Sequence, residues 1–151
     1  MHNHEPTGYH CPFCRNVTTG DSDHPLEILY RDADVFVKMN PRWWPGNPGG
    51  VLVVPVDHFE NVYDLRPALG APIQRAVRDV AVAMKRAFDC DGVSTRQHNE
   101  PAGNQDVWHY HVHVFPRWEG DDLYGSEGTR ADPAELRRRA DQLRAAWPHD
   151  P

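Results

Sequence analysis

The sequence predicts an α+β domain: a five-stranded antiparallel meander sheet carrying a long helix and a C-terminal helix. Three observations lead there. Five short runs rich in β-branched and aromatic residues are spaced along the chain, over 27–30, 34–39, 51–56, 93–97 and 107–115. Two stretches show the three-and-four spacing of an amphipathic helix, one between the third and fourth strands and one at the end. The first strands are joined by short turns, which favours antiparallel neighbours.

The elements follow in order. Residues 1–25 are rich in His, Asp, Gly, Ser and Thr, and read as an irregular arm around Cys11-Pro12-Phe13-Cys14. Glu27-Ile28-Leu29-Tyr30 is the first strand. Arg31-Asp32-Ala33 turns the chain into Asp34–Met39, the second. Between Pro41 and Gly50 stand three prolines and three glycines, composition that dictates a shaped loop in place of a regular element. Val51 to Val56 is a buried-strand candidate. Pro72 suits the first turn of the long helix, and Ile73, Val77, Val80, Met84 and Phe88 form its apolar stripe until Asp91-Gly92 ends it. The C-terminal helix opens on Asp132-Pro133-Ala134-Glu135: an N-cap acid, proline at the first helical position and Glu at the third. Leu136, Leu143 and Trp147 mark its packed side, and Arg137-Arg138-Arg139 reads as a solvated face.

At 151 residues the chain is expected to be a single domain, spanning 1–151, long enough to bury a substantial core; residues 123–151 read as a helical extension. The formal charge is −6, with 22 acidic residues against 16 basic ones, which argues against broad binding to nucleic acid. No apolar run reaches the 18 or so residues of a membrane span, and MHNHEPTGYH lacks the apolar stretch of a secretory signal, so a cytoplasmic location is expected. Three cysteines leave one over, Cys90, which reads as a small buried hydrophobe. In a cytosolic chain the Cys11–Cys14 pair points to a metal or redox element before a structural disulfide.

The chemistry concentrates in Trp108-His109-Tyr110-His111-Val112-His113-Val114-Phe115. On an extended strand, alternate side chains share a face about 6.6 Å apart. His109, His111 and His113 would then line one face, with Trp108, Tyr110, Val112 and Val114 burying the other. The readings are incidental structural histidines, a metal-binding face, or catalysis. Imidazole titrates near neutrality and serves as nucleophile, acid or hydrogen-bond donor. The middle ring, flanked on both sides, is the natural attacker. No GxxxxGK[ST] phosphate loop and no obvious magnesium-binding carboxylate cluster is present.

Gln105-Asp106-Val107-Trp108-His109-Tyr110-His111-Val112-His113 resembles the histidine triad (HIT) signature, His-φ-His-φ-His with a Gln four residues before it. Val53-Val54-Pro55-Val56-Asp57-His58, Asn99, His113-Val114-Phe115-Pro116-Arg117 and Gly120-Asp121-Asp122 are similar to further blocks of the family, in its Fhit-like and bacterial branch. Cys11-Pro12-Phe13-Cys14 resembles the zinc pair of many bacterial members. The resemblance implies a HIT-like fold that pairs as a homodimer into a ten-stranded sheet, and chemistry on the α-phosphate of a nucleotide substrate. It implies His111 as the nucleophile forming a covalent nucleotidyl-histidine, and His113 beside the leaving group. The His109 carbonyl would hold Nδ1 of His111. Gln105 and Asn99 would contact the phosphate, and Asn40 the ribose hydroxyls. It also nominates Cys11, Cys14, His58 and His109 as a structural zinc site, with His10 and His24 as spare ligands. No organic cofactor, nucleic acid or membrane is implied. His2, His4 and His149 read as solvated.

Two departures stand out. Asp106 occupies a position where relatives often carry Ser or Thr, and a carboxylate there cannot donate to a phosphate oxygen. Trp43-Trp44 lies in an enlarged loop, either as packing or as a wall for a nucleobase. Outside enzymes, the alternatives are a zinc-stabilised nucleotide-binding module with negligible turnover, or a zinc redox protein.

Overall fold

The computed structural model describes residues 2–19 and 27–148. Along the chain run α1 (Pro12–Thr19), β1 (Ile28–Arg31), β2 (Val35–Met39), β3 (Arg42–Trp43), β4 (Val51–Pro55), α2 (Gly70–Phe88), β5 (Gly92–Gln97), β6 (Val112–Arg117), β7 (Thr129–Arg130) and α3 (Pro133–Ala146). Five strands form one antiparallel sheet in the order β1-β2-β4-β6-β5, and β3 pairs with β7 in a small separate ribbon. The fold is the expected α+β sheet with its two long helices, with the simple meander kept only through β1, β2 and β4. α2 then carries the chain past one position, so β5 forms the edge and β6 returns to lie between β4 and β5.

Local chemistry sets these elements. The Asp32 carboxylate accepts from the amides of Asp34 and Val35, both at 2.8 Å, and so closes the β1–β2 turn. α2 ends where Asp89 takes a left-handed conformation (φ 49°), one that aspartate tolerates better than most residues. The Asp132 carboxylate caps α3 by accepting from Ala134 and Glu135. Glu135 pairs with Arg138 and Arg139. The expected solvated Arg137–Arg139 face therefore holds for Arg137 and Arg138 only: Arg139 is half-buried, its guanidinium 4.9 Å from the Phe88 ring centre.

The sheet is covered on both faces. Val35, Val37, Met39, Val51, Val53, Val112 and Val114 pack against Ile73, Ala76, Val80 and Met84 of α2 and Leu136, Ala140 and Leu143 of α3. On the opposite face Phe36, Leu52 and Val54 meet Phe13 of α1. This double burial explains why β4 reads as a continuous apolar run and why β2, interrupted only by the buried Lys38, shows no alternation. Among the described residues, no helix is long and apolar enough to cross a membrane.

Three expectations are corrected. The arm is not wholly irregular: α1 begins straight after Cys11, whose sulfur accepts from the Cys14 amide at 3.4 Å as a side-chain cap. The 41–50 loop contains β3, because Arg42 and Trp43 find partners in Arg130 and Thr129 far along the chain. The helical extension read over 123–151 carries α3, and it joins the rest of the fold through the buried Leu123 and through β7, which completes that ribbon. The strand expected over 107–115 is β6, shifted to Val112–Arg117. Its pairing with β4 begins at Val112↔Val53. Beyond that point the Pro55 carbonyl is taken by the His109 ring (2.9 Å), a side chain standing in for the ladder. Trp108 accordingly leaves the apolar face and is only half-buried, while Tyr110, Val112 and Val114 keep it.

One glycine is required where the loop meets α2. Gly49 has φ +99°, and a Cβ there would lie 2.7 Å from the Phe88 ring. Gly49→Ala should cost about 2–3 kcal/mol in urea unfolding; an unchanged midpoint would contradict this packing.

Candidate active site and metal-binding cluster

The triad spans the junction between a bend and a strand. His109 and His111 precede β6 and His113 lies within it. The rings nevertheless follow one another on the α1 side of the sheet. His109 and His111 both meet Phe13 edge-on, at 5.6 and 5.3 Å between ring centres. His111 and His113 are 5.0 Å apart, and His113 stacks parallel on Phe115.

His111 is 4% exposed. Its Nδ1 lies 2.7 Å from the His109 carbonyl, which can only accept, so Nδ1 carries the proton and Nε2 keeps its lone pair. Burial pushes the ring's pKa down, against the opposing pull of Asp106, and so favours the uncharged form. The Asp106 carboxylate, well exposed, stands 3.7 Å from Nε2 of His111. Among the described residues its ion-pair partner is this ring and no arginine. His113 is pushed to about 3 by burial, with the His111, His98 and Arg96 charges adding to the effect. Its Nδ1 is buried without a hydrogen-bond partner among the described residues.

The three amide residues are differently placed. Gln105 is buried, and both its amide hydrogens go to backbone carbonyls: Glu60 at 2.5 Å and Val107 at 3.0 Å. Its oxygen accepts from the Glu100 amide. These bonds let Gln105 tie down the loop carrying Asp106. The Asn99 oxygen accepts from the Val62 amide, and its nitrogen donates to Gln97. Asn40, buried at the end of β2, accepts from the Arg42 amide. Trp43 belongs to the core, whereas Trp44 meets Phe115 edge-on.

Beside the triad, Cys11, Cys14, His58 and His109 present four ligand atoms within 4.8 Å of one another. Cys11 Sγ lies 3.3 Å and Cys14 Sγ 3.6 Å from His109 Nδ1, and Cys14 Sγ is 3.2 Å from His58 Nδ1. Tetrahedral zinc with its usual bond lengths would set such atoms roughly 3.3–3.8 Å apart. The outer ring nitrogens fit too. His109 Nε2 donates to the Pro55 carbonyl, and His58 Nε2 lies 2.6 Å from the Glu5 carboxylate. Each bond leaves Nδ1 bare toward the sulfurs, the arrangement a metal ligand needs. Burial, with Cys11 adding to it, pushes the Cys14 thiol up to about 12, and burial pushes His109 down to about 4. The donor set and spacing fit zinc. His10 is exposed and outside the cluster, and His24 and His149 lie outside the described residues. His4 is not simply solvated: its ring pairs with Glu100 at 3.0 Å. Glu5, Phe13 and the Pro55 carbonyl are contributors that no local pattern announced.

The HIT domain family model matches residues 22–120. The chain belongs to the HIT family. It is 31% identical over 116 residues to Protein hit of Bacillus subtilis, covering 77% of each chain. It is 32% identical over 137 residues to AP-4-A phosphorylase of Mycobacterium tuberculosis, covering 86% of this chain and 67% of that one. A crystal structure of a zinc-bound histidine triad family protein from Mycobacterium smegmatis superposes with a TM-score of 0.76 at 30% identity, covering 90% of this chain and 91% of the other. The HIT fold thus accounts for the antiparallel sheet, and the Cys2His2 cluster has a zinc-bound relative beside it.

Proposed function

We propose that this HIT protein is a nucleotide hydrolase or nucleotidyltransferase acting at the α-phosphate of a purine nucleotide conjugate, through a nucleotidyl-His111 intermediate. The carrying observation is the buried His111 with Nδ1 locked to the His109 carbonyl and Nε2 bare, in a setting that favours the uncharged ring. An uncharged nucleophile avoids repulsion by an anionic phosphate. The Nε2 lone pair attacks phosphorus, forming P–N. The bond from phosphorus to the bridging atom breaks, and its electron pair leaves with that atom. His113, uncharged and next in line, donates a hydrogen bond to the departing atom. The His111 ring is now cationic, and Asp106 at 3.7 Å stabilises that charge. Water then attacks phosphorus, the P–N pair returns to Nε2, and a nucleoside monophosphate and a proton are released. Another acceptor in place of water gives transfer, as the name of the phosphorylase relative indicates for that protein. Asn40 takes the ribose hydroxyls, and Asn99 contributes through its remaining amide hydrogen.

Cys11, Cys14, His58 and His109 would hold zinc as a closed, structural site. Four protein ligands would leave no position for water, so an ion there would pin α1 and orient the carbonyl that fixes His111. β5 is an edge strand, and pairing with a second copy along it would extend the sheet. A monomeric mass in solution would contradict the dimer. Assaying dinucleoside polyphosphates, nucleoside phosphoramidates and aminoacyl adenylates tests the enzyme reading. Tight binding of nucleoside monophosphate with no turnover of any of them would favour a binding module instead.

A further inference from the structure

Arg96 is a charged group beside the triad that the chemistry above does not use. It sits on β5 directly opposite His113 in the β5–β6 register. Its guanidinium lies over three aromatic rings: Phe115 at 4.5 Å, Trp44 at 5.2 Å and Tyr124 at 5.6 Å from the ring centres. Among the described residues no carboxylate pairs with it, and its Nε is buried with no hydrogen-bond partner. Burial pushes its pKa down, with nearby Arg117 adding to that effect. Arg117 is different: Asp121 neutralises it through two hydrogen bonds, at 2.7 and 2.8 Å. The aromatic faces offset only part of the cost of a half-buried, unpaired cation. A site of this kind is completed by an anion, and the fork of a guanidinium matches the oxygens of phosphate or sulfate.

Resting on the proposed attack by His111, we infer that Arg96 is the seat of an anionic oxyacid leaving group. It would take the phosphate chain or sulfate that departs from the α-phosphorus, held beyond His113 on the Phe115–Trp44–Tyr124 platform. The order of side chains supports this. His111 is adjacent to His113 in space, and His113 is opposite Arg96 across the two strands. The ring expected beside the departing atom therefore lies between the nucleophile and the unpaired cation. Asp106 stands by His111 and Arg96 by His113, so the negative group meets the ring that becomes cationic and the positive group meets the group that leaves with negative charge. The site would accordingly prefer nucleotides with an acidic leaving group over phosphoramidates that release an uncharged amine.

The test compares three substrates sharing adenosine and the α-phosphate: diadenosine tetraphosphate, adenosine 5′-phosphosulfate and adenosine 5′-phosphoramidate. The quantity read is the ratio of kcat/KM for each anionic-leaving substrate to that for the phosphoramidate. In Arg96→Met, which keeps apolar bulk on the platform, at least one ratio should fall by about 10- to 100-fold, the loss of a charge-assisted contact. Arg96→Lys, which keeps the charge, should bring it back to within about fivefold of wild type. A fall for the tetraphosphate alone identifies a phosphate chain as the occupant, and a fall for the phosphosulfate alone identifies sulfate. Equal losses on all three substrates, or none, would overturn the inference and assign Arg96 to packing or to a carboxylate of a second copy. Wild-type protein that turns over none of the three would overturn the proposed function as well.

Discussion

Replacing His111 by Ala should lower turnover by on the order of 10⁴-fold or more, while nucleoside monophosphate binding stays within about tenfold of wild type. The size follows from the role. No neighbouring ring can substitute: His109 is committed to the cysteines and the Pro55 carbonyl, and His113 lies a further 5.0 Å along. The binding surface is largely separate, since His111 is 4% exposed and offers little contact area. His113→Ala should be milder, about 10²-fold, because it removes a hydrogen-bond donor and leaves the nucleophile in place. Its deficit should shrink as the leaving group becomes more acidic and needs less help. Steady-state kinetics with isothermal titration of the monophosphate separates these effects. Comparable losses in turnover and binding would mean that His111 is part of the binding surface alone.

The second large effect is on stability. Cys14→Ala, or removal of metal by a strong chelator, should lower the melting temperature by about 10 °C, roughly 3 kcal/mol or more for a chain of this size. Cys14 faces both histidines of the cluster, and without a metal its thiol has a raised pKa in a half-buried site. Since a bound metal must displace thiol protons, its retention should weaken as pH falls. Turnover should fall with it, because His109 supplies both a ring to the cluster and the carbonyl that sets the His111 tautomer. Thermal melts with metal analysis check this. Identical melting curves for metal-loaded and metal-free protein would contradict the structural role.

The strands and the two long helices were legible because their signals are local: β-branched runs in β2 and β4, a three-and-four stripe in α2, and an acid-proline start in α3. What escaped depends on partners distant in sequence. β3 exists only because Thr129 and Arg130 come beside it, and no feature of Arg42-Trp43 announces that. α1 is held by Phe13 on the sheet and by the Cys11 sulfur at its start, neither of which is a helix propensity. The triad was readable from its alternation, but not its break from the strand, which the Pro55 carbonyl and the His109 ring decide across 54 positions. The Cys2His2 set came from the family resemblance, and the structure adds Glu5 and the Pro55 carbonyl behind its two histidines. Gln105 shows the opposite case: its position matched the pattern, while its hydrogen bonds face inward. Arg96 carried no sequence signal at all, because its significance is that no carboxylate among the described residues pairs with it.

The central claim is that Nε2 of His111 forms a bond to phosphorus, and quenching with alkaline detergent during turnover of an α-³²P-labelled adenine nucleotide conjugate tests it most directly. The account predicts an acid-labile, base-stable protein-bound label that maps to the peptide containing His111 and is lost in His111→Ala. Turnover with no bound label at any quench time, or label on His109 or His113, would contradict it.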